Sequence, residues 1–528
     1  MNPAIDIRDR TRDLLALLSG AAVTAAFPDV DAAWLAWIAL VPLLVALSGV
    51  GPKRAFRLGF LAGLSHFLTL TYWLVHTMGT YGGLPVFVSL PLLGLLAAYL
   101  ALYPAVCAVG LARWAPSPVA TAALLPPLWV ALEYLRATLL TGFPWELLGY
   151  TQYSRPTLIQ IADLTGPYGV SALVAAGNGA AFLVVVWAFG RRRAVPAVSG
   201  RAAALAVVIG VGLVAVALGY GRLRLQWTDA RIADAPTLRT AVVQGNIDQK
   251  IKWDPAFRDA TVEKYLRLSR SAPGGAELVV WPETATPFYF GHDYELTRVV
   301  KDGVRRTGAW LLTGSPAFER AGETLRFHNS AYLLAPTGKR KGRYDKVHLV
   351  PYGEYVPLKR FFPFIGKIVE HVGDFKPGTR GDTLKTDRGR IGVLICYEII
   401  FPELTRAAAR KGAALLTNLT NDAWYGRTSA PRQHFSMAVF RAVETKRALA
   451  RAANTGISGF IDPAGRVVAT TPLFVPAVRT AELPLLTART VYTRFGDLFA
   501  VGCLTGVAGL AIAREIARRR RNKRPTET

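Results

Sequence analysis

Apolar residues are distributed very unevenly along this 528-residue chain, and their distribution limits the architectures it can adopt. Long apolar runs fill the first 220 residues and return once near the C-terminus. The block between them alternates short apolar runs with polar segments. A helix needs about 20 apolar residues to cross the hydrocarbon core of a bilayer. The sequence therefore predicts a multi-pass α-helical membrane domain interrupted by a large extramembrane block.

About eight transmembrane helices are predicted. They lie at about 12–28, 31–49, 56–77, 85–112, 118–139, 164–189, 202–220 and 495–515. The first two are short and close together, so a helical hairpin is expected there. The predicted domains are a transmembrane domain at 1–222 with about seven helices, an extramembrane domain at 233–484, a final transmembrane helix at 494–516 and a basic tail at 517–528. A polar, charged linker is expected at 221–236.

Basic residues set the predicted orientation, because they cluster in both termini and in alternate loops between the predicted spans. They are Arg8, Arg10 and Arg12; Lys53, Arg54 and Arg57; Arg191, Arg192, Arg193 and Arg201; and Arg518, Arg519, Arg520, Arg521, Lys523 and Arg524. By the positive-inside bias both termini are cytoplasmic and residues 222–494 lie on the opposite side. The formal charge of +26 is then a topology signal with anionic-lipid contact, and no nucleic-acid partner is expected.

The extramembrane block alternates predicted strands and helices from about Thr237 onward. The strands are Leu238–Val243, Leu278–Trp281, Trp310–Thr313, Ser330–Ala335, Ile391–Ile395, Ala413–Leu416 and Ser458–Asp462. The helices are Pro255–Ser271, Tyr294–Thr307, Pro402–Lys411 and Gln433–Arg447. This alternation is typical of an α/β layer architecture.

Three reactive side chains each follow a short apolar run: Glu283 in WPET, Lys346 in DKVHLVPYGEYVP and Cys396 in GVLICYE. A thiol with an ordinary pKa of about 8.5 is only a few per cent thiolate at neutral pH, so a thiol nucleophile needs help. Glu283 is the predicted general base for Cys396, and Lys346 is the cation that stabilises the thiolate and an oxyanion. The alternative is a surface Glu–Lys ion pair beside an inert, buried cysteine.

These residues in their contexts resemble the Glu-Lys-Cys triad of the nitrilase (carbon–nitrogen hydrolase) superfamily. Four further segments, taken with the predicted spans, resemble its membrane-bound branch, the apolipoprotein N-acyltransferase family of Gram-negative bacteria. They are TGFPWELLGYTQ (141–152), QGNIDQKIKWD (244–254), NLTNDAWYG (418–426) and RAANTGISGFIDPAG (451–465). The resemblance covers nearly the whole chain.

The resemblance implies a nitrilase-like αββα sandwich for the extramembrane block, placed on the periplasmic side of the inner membrane. It implies an acyltransferase with a thioester intermediate and no cofactor. The implied donor is a phospholipid, usually phosphatidylethanolamine, and the acceptor is the α-amine of an apolipoprotein's S-diacylglyceryl-cysteine. A monomer is expected. A membrane-anchored nitrilase-type amidase acting on a small C–N substrate is the alternative, because the triad alone fits it equally well.

A supporting role follows from the resemblance for Glu354, and from position for Tyr397 and Glu398, which flank the nucleophile. Glu354 would orient Lys346, while Tyr397 and Glu398 would shape the oxyanion hole and hold the nucleophile's loop. The predicted substrate-binding residues are Trp253, Phe362 and Trp424. Phe362 belongs to an apolar stretch, residues 352–372, that is interpreted either as a lipid-facing arm or as an oligomer interface.

Two other kinds of chemistry are not expected. The sequence has no CxxC or HExxH spacing, so no metal site is expected. His348 and His434 suggest a Cys-His pair, but a triad with lysine needs no histidine. Glu133 and Arg136, beside TGFPW, either face the site or form a helix-end ion pair.

The arginine distribution gives a topology prediction. Reporter fusions after Arg521 should give a cytoplasmic signal, and fusions within 240–480 should give a periplasmic one, measured with paired alkaline phosphatase and fluorescent-protein reporters. A cytoplasmic signal from the 240–480 fusions would contradict the predicted orientation.

Overall fold

The structure is a computed structural model that describes residues 8–192, 198–355 and 375–522. The apolar segments of the sequence fold as helices. The α-helices are α1 (Asp9–Ala25), α2 (Val41–Ala46), α3 (Pro52–Leu70), α4 (Trp73–Thr80), α5 (Val86–Trp114), α6 (Pro118–Thr138), α7 (Pro156–Ile159), α8 (Ala162–Thr165), α9 (Pro167–Arg192), α10 (Gly200–Ala233), α11 (Arg258–Arg270), α12 (Tyr294–Thr307), α13 (Pro402–Arg410), α14 (Ala430–Thr445), α15 (Val491–Phe495) and α16 (Leu498–Asn522). The strands are β1 (Thr237–Gln244), β2 (Leu278–Val280), β3 (Trp310–Ala321), β4 (Thr324–Leu334), β5 (Arg340–Asp345), β6 (Thr383–Lys385), β7 (Arg390–Ile395), β8 (Ala413–Thr420), β9 (Ala448–Ala453), β10 (Gly459–Ile461), β11 (Val467–Thr470) and β12 (Ala477–Pro484).

The chain divides into two compact units. The helical unit contains Met1–Tyr72, Leu90–Arg222 and Asp497–Thr528. The α/β unit contains Trp73–Ser89 and Leu223–Gly496. Helix α4 therefore belongs to the α/β unit, although it lies within the apolar N-terminal part of the chain.

The number of candidate membrane spans is smaller than the sequence predicts. Within the described residues, five helices (α5, α6, α9, α10 and α16) are long and apolar enough to cross a membrane. The count is six if α3 and α4, which meet at a 51° bend, form one span. The chain is therefore a multi-pass membrane protein with five or six candidate spans rather than about eight.

The first two predicted spans account for the difference. Residues 12–28 fall on α1, a 17-residue helix. Residues 31–49 form a short 3-10 turn and the six-residue α2, which begins beside Pro42. Neither reaches the length of about 20 residues that a span needs. If α3 and α4 form one span, five spans precede the α/β block instead of the predicted seven. Both numbers are odd, so the predicted orientation of that block is unchanged.

Within the helical unit, Glu133 and Arg136 fold the loop that follows α6. Both are buried. The Arg136 guanidinium donates to the main-chain carbonyls of Phe143 at 3.0 Å and Trp145 at 2.8 Å. The Glu133 carboxylate accepts from the Leu148 amide at 2.7 Å. Their contacts are those of a loop clamp, because they supply partners to backbone groups that would otherwise be buried and unpaired.

The α/β unit contains two six-stranded sheets. Their strand orders are β12-β1-β2-β3-β4-β5 and β11-β10-β9-β8-β7-β6. The strands β1, β2 and β3 are parallel in the first sheet, and β7, β8 and β9 are parallel in the second. Antiparallel strands extend each sheet on both sides.

Two apolar layers hold the unit together. One lies between the sheets and includes Val242 and Leu312 of the first sheet with Val393 and Leu415 of the second. Another packs the outer face of the first sheet against α11 and α12. Helices α13 and α14 contact strands β7, β8 and β9 of the second sheet. The unit is thus an α/β sandwich of two sheets with helices packed against them.

Local signals explain which predicted elements agree with the structure. Helix α12 has the predicted bounds, because the Asp293 carboxylate caps its start by accepting from the Leu296 amide and Gly308, at φ +65°, ends it. Strands β5, β6, β9, β11 and β12 were not predicted; β5 and β9, for example, read RKGRYD and ALARAA without a clear apolar alternation. The expected linker at 221–236 is largely helical, since α10 continues to Ala233.

The sheets place several polar residues together. In parallel strands the carboxyl ends meet at the same edge, which is where sites form in open α/β sheets. Glu283 follows β2, Cys396 follows β7 and Asp422 follows β8. Lys346 follows β5, the edge strand of the first sheet.

Candidate active site

Cys396 lies at a sharp turn immediately after a buried strand. Strand β7 supplies five consecutive buried residues, and Cys396 then opens a 3-10 turn, Cys396–Ile400. Its φ of +54° lies in the left-handed region that residues with a side chain rarely adopt. Such local strain persists only where the surroundings enforce it, and it clusters at functional sites.

The surroundings that enforce this turn centre on Glu398, which is fully buried. One carboxylate oxygen accepts from the Ile395 amide at 2.7 Å, and the other accepts from the amides of Val347 at 2.6 Å and His348 at 3.1 Å. The Tyr344 hydroxyl donates to the same carboxylate. Burial raises the pKa of Glu398 to about 7, against these hydrogen bonds. Glu398 therefore ties the cysteine's turn to the segment that carries Lys346.

Glu283 is held on an equally constrained turn. Thr284, the next residue, has φ +50°. A Cβ at Gly314 of β3 would lie 2.5 Å from the Thr284 amide nitrogen and 2.7 Å from the Glu283 Cα, so this position requires glycine. The Oε1 atom of Glu283 accepts from Asn329 Nδ2 at 2.8 Å. Its Oε2 atom is buried and has no hydrogen-bond partner in the part of the chain that the structure describes.

Lys346 lies between two carboxylates. It is 1 % exposed, and its Nζ lies 3.0 Å from Glu354 Oε2 and 3.7 Å from Glu283 Oε1. Burial disfavours its charge, but Glu354 and Glu283 outweigh burial and raise the pKa of Lys346. The side chain is therefore an ammonium at neutral pH.

Asn329 on β4 connects the two carboxylates, and sequence reasoning missed it. Its Nδ2 donates to Glu283 Oε1 and to Glu354 Oε1, both at 2.8 Å. Glu354 is held further by the Val350 amide at 2.8 Å. In the sequence Asn329 is only a polar residue just before the apolar half of β4. That position does not reveal which groups its side chain contacts.

The thiol of Cys396 is protonated in this arrangement. Burial raises its pKa to about 12 and the charge of Glu283 adds to the effect. Lys346 and a hydrogen bond from Thr420 act in the opposite direction. A thiol of this kind becomes a nucleophile only if a nearby base takes its proton. The unpartnered Oε2 of Glu283 is suited to that role.

A buried polar network extends from Cys396 into the second sheet. Asn418 donates to the Cys396 carbonyl at 3.3 Å, and Arg451 donates to Asn418. Asp422 accepts from Arg451 at 2.8 Å and from Thr420 at 2.8 Å. Burial opposes its charge, but Arg451 above all lowers the pKa of Asp422 well below its usual range. This network fixes the strand end opposite the nucleophile.

Helix α4 contacts the turn that follows β8, within the α/β unit. Thr77 Oγ1 donates to the Trp424 carbonyl and the Tyr81 hydroxyl to the Ala423 carbonyl, both at 2.9 Å. The rings of Tyr81 and Trp424 meet edge to face at 5.0 Å. The segment that carries Trp424 is therefore held by residues more than 300 positions away in the chain.

The other predicted residues differ in what the structure says of them. Tyr397 is buried and packs against Phe401 at 5.2 Å. Trp253 and Trp424 are half-buried, and their contact with substrate stays a prediction. Phe362 lies outside the described residues. His348 stacks on Phe401 at 3.7 Å, and burial and Lys346 lower its pKa to about 4.

One group of side chains in the described residues has the spacing of metal ligands. The ligand atoms of Glu319, His328 and Asp345 lie within 4.8 Å of one another. Arg343 already donates to both carboxylates, at 2.8 Å to Asp345. The two carboxylates are therefore already paired with a guanidinium.

Comparisons with known proteins find sequence relatives of both the N-terminal and the α/β parts of the chain. The family of apolipoprotein N-acyltransferase N-terminal domains matches residues 19–180, and the carbon–nitrogen hydrolase family matches residues 239–492. An apolipoprotein N-acyltransferase from Geobacter metallireducens is 47% identical over 98% of each chain. One from Methylococcus capsulatus is 36% identical over 96% of each chain. Among solved structures, an amidase from Nesterenkonia sp. AN1 matches with a TM-score of 0.37 and 22% identity, covering 50% of this chain and 97% of the amidase.

The contacts of Glu398 give a test of how the site is held. Glu398→Gln should lower the stability of the α/β unit by about 1–3 kcal/mol, because an amide cannot accept from all four buried donors and leaves at least one unpaired. It should also slow alkylation of Cys396. Both are measured on the full chain in detergent, by thermal unfolding and by mass spectrometry of the Cys396 peptide. Glu403→Gln, at a partly exposed ion pair with Arg380, is the control; equal behaviour of the two variants would contradict the prediction.

Proposed function

The chain belongs to the apolipoprotein N-acyltransferase family of the carbon–nitrogen hydrolase superfamily, and we propose that it makes an acyl thioester on Cys396. The acyl chain comes from a phospholipid, phosphatidylethanolamine in the usual case. It passes to the α-amine of the S-diacylglyceryl-cysteine at the N-terminus of an apolipoprotein. The observation that carries this proposal is a buried set of three groups: the Cys396 thiol, a Glu283 carboxylate with one unpartnered oxygen, and the Lys346 amine held between Glu283 and Glu354.

The first half-reaction forms the thioester. Glu283 Oε2 takes the Sγ proton of Cys396, and the sulfur attacks the ester carbonyl carbon of the phospholipid. The resulting oxyanion is stabilised by the Lys346 ammonium and by the main-chain N–H that follows Cys396. The C–O bond to the glycerol oxygen then breaks, and Glu283 returns the proton to that oxygen as lysophospholipid leaves.

The second half-reaction transfers the acyl chain. The neutral α-amine of the acceptor attacks the thioester carbonyl, and Glu283 takes a proton from the nitrogen. The C–S bond breaks, and the proton returns to the sulfur, so that an amide forms and the thiol is regenerated. Glu354 and Asn329 keep Lys346 and Glu283 in position throughout, as their hydrogen bonds indicate.

The membrane region supports a lipid donor. An enzyme that acts on a small, soluble C–N substrate needs no membrane spans before and after its catalytic block. A phospholipid, by contrast, resides in the bilayer. We propose that the α/β unit faces the periplasm from the inner membrane, with both termini cytoplasmic, and that the protein acts as a monomer. An acyltransferase passes the acyl group of the thioester to an amine, whereas an amidase passes it to water. The identity of the acceptor therefore separates the two functions.

Replacing the nucleophile tests the thioester. Cys396→Ser should reduce acyl transfer by at least about three orders of magnitude, because a hydroxyl is a much poorer nucleophile with the same base. Transfer is measured with vesicles of phosphatidylethanolamine and a diacylated lipopeptide, by mass spectrometry of the triacylated product. Cys503→Ser in α16 should retain activity as the control. Near-normal transfer by Cys396→Ser would remove the covalent mechanism.

Replacing the base tests the order of events. Glu283→Gln should abolish the burst of lysophospholipid that accompanies acyl-enzyme formation, since an amide cannot accept the thiol proton. The burst is measured by rapid quench without acceptor, and Glu263→Gln, an exposed residue on α11 paired with Arg270, is the control. A burst of normal size and rate from Glu283→Gln would show that another group activates Cys396.

A further inference from the structure

A second lysine is buried at this site, and no triad role accounts for it. Lys252 is 2 % exposed, and its Nζ donates to the main-chain carbonyl of Glu283 at 3.1 Å. It precedes Trp253 and Asp254, and the Asp254 carboxylate caps the next turn by accepting from the Ala256 amide. Burying an ammonium is unfavourable unless nearby groups compensate it. A lysine that served only packing would be replaceable by an apolar residue.

The groups facing Lys252 belong to the reacting set. Burial lowers its pKa to about 8, while the charges of Glu283 and Cys396 raise it. Cys396 in turn faces Glu283, Lys346 and Asp422, and Tyr425 also interacts with it. Lys252 therefore interacts electrostatically with the Cys396 thiol and the Glu283 carboxylate, the two groups that exchange the proton in the proposed mechanism.

We propose that Lys252 is a positioning residue for Glu283 and the second positive charge against which Cys396 becomes a thiolate. This inference rests on the proposed function, because it assigns Lys252 a part in the same proton transfer. Two observations carry it: the hydrogen bond from Lys252 Nζ to the Glu283 carbonyl and the nearly complete burial of the Lys252 ammonium.

The first part of the role is mechanical. The main chain at Glu283 is confined on one side by Gly314, where no Cβ fits, and continues into Thr284 at φ +50°. The bond from Lys252 fixes the carbonyl between these constraints. The Oε2 atom can then remain without a partner and still point in a defined direction.

The second part is electrostatic. Glu283 and Glu354 are two carboxylates around one ammonium, Lys346, so this cluster carries one negative charge in excess. A protonated Lys252 balances that charge, which lowers the cost of moving negative charge onto sulfur. The balance is present well below the Lys252 pKa of about 8 and is lost as the pH rises through that value.

The test measures the thiol directly. Full-length protein in detergent is treated with iodoacetamide between about pH 6 and pH 10, and modification of the Cys396 peptide is followed by mass spectrometry. Lys252→Met removes the charge with little change of shape, and Lys252→Arg keeps a charge that does not titrate in this range. Lys264→Met is the matched control, because Lys264 also donates to a main-chain carbonyl, that of Asn246.

Lys252→Met should slow alkylation about tenfold near pH 7, because the loss of one nearby charge shifts the thiol pKa by about one unit. Lys252→Arg should match the unmodified protein near pH 7 and exceed it above about pH 9, where Lys252 has lost its charge. Lys264→Met should follow the unmodified protein throughout. Acyl transfer should fall in Lys252→Met and be largely restored in Lys252→Arg.

Two results would overturn the inference. A Lys252→Met protein whose alkylation profile coincides with that of the unmodified protein would reduce Lys252 to a structural role, whatever its acyl transfer. If Lys252→Met does not fold, an unchanged profile in Lys252→Arg above about pH 9 would have the same meaning. Failure of the proposed function is recognised separately, since alkylation needs no lipid and Cys396→Ser reports on the thioester alone.

Discussion

The ammonium of Lys346 is enclosed by protein, and two carboxylates take the place of its water. Glu354 contacts it with both oxygens and Glu283 lies slightly farther away, while Asn329 donates to both acids. Removing one partner of a buried ion pair costs about 3–5 kcal/mol, because the remaining charge is uncompensated. The site therefore has to assemble as a set. Glu283 and Lys346 follow β2 and β5, and Asn329 lies on β4 of the same sheet. Glu354 lies in a turn beyond β5 and is held there by the Val350 amide.

The reactive residues occupy backbone conformations that the rest of the unit has to enforce. Cys396 and Thr284 both have positive φ without being glycine. Glu398 holds the first turn with its carboxylate, and Gly314 allows the second by having no side chain. Each turn thus depends on a residue that takes no part in the chemistry. The Cys396 turn is held from within by Glu398, which also joins it to Val347 and His348, while the Glu283 turn depends on the neighbouring strand β3.

The sequence predicted the parts that depend on local patterns. Glu283 and Cys396 follow strands that were predicted, whereas the strand before Lys346, β5, was not predicted. The structure brings the three residues together, and their roles remain predictions. Asn329 and Lys252 were missed because their importance arises only when distant segments meet. The count of eight spans was too high because apolar composition does not show that residues 31–49 break into short helices. Glu398 was singled out because it lies next to the nucleophile in the sequence, but its hydrogen bonds to the amides of Val347 and His348 depend on tertiary contact.

Helix α4 has a consequence for dissecting the protein. The α/β unit is discontinuous in the chain, since it takes Trp73–Ser89 from the apolar N-terminal part. A fragment that begins at residue 223 would keep both sheets and every residue of the triad. It would lack the hydroxyls of Thr77 and Tyr81, so the carbonyls of Ala423 and Trp424 would lose their donors. A gene fragment that starts at residue 223 would therefore encode the α/β unit without its N-terminal segment, and recombination at that boundary between family members would have to exchange α4 as well to keep these contacts.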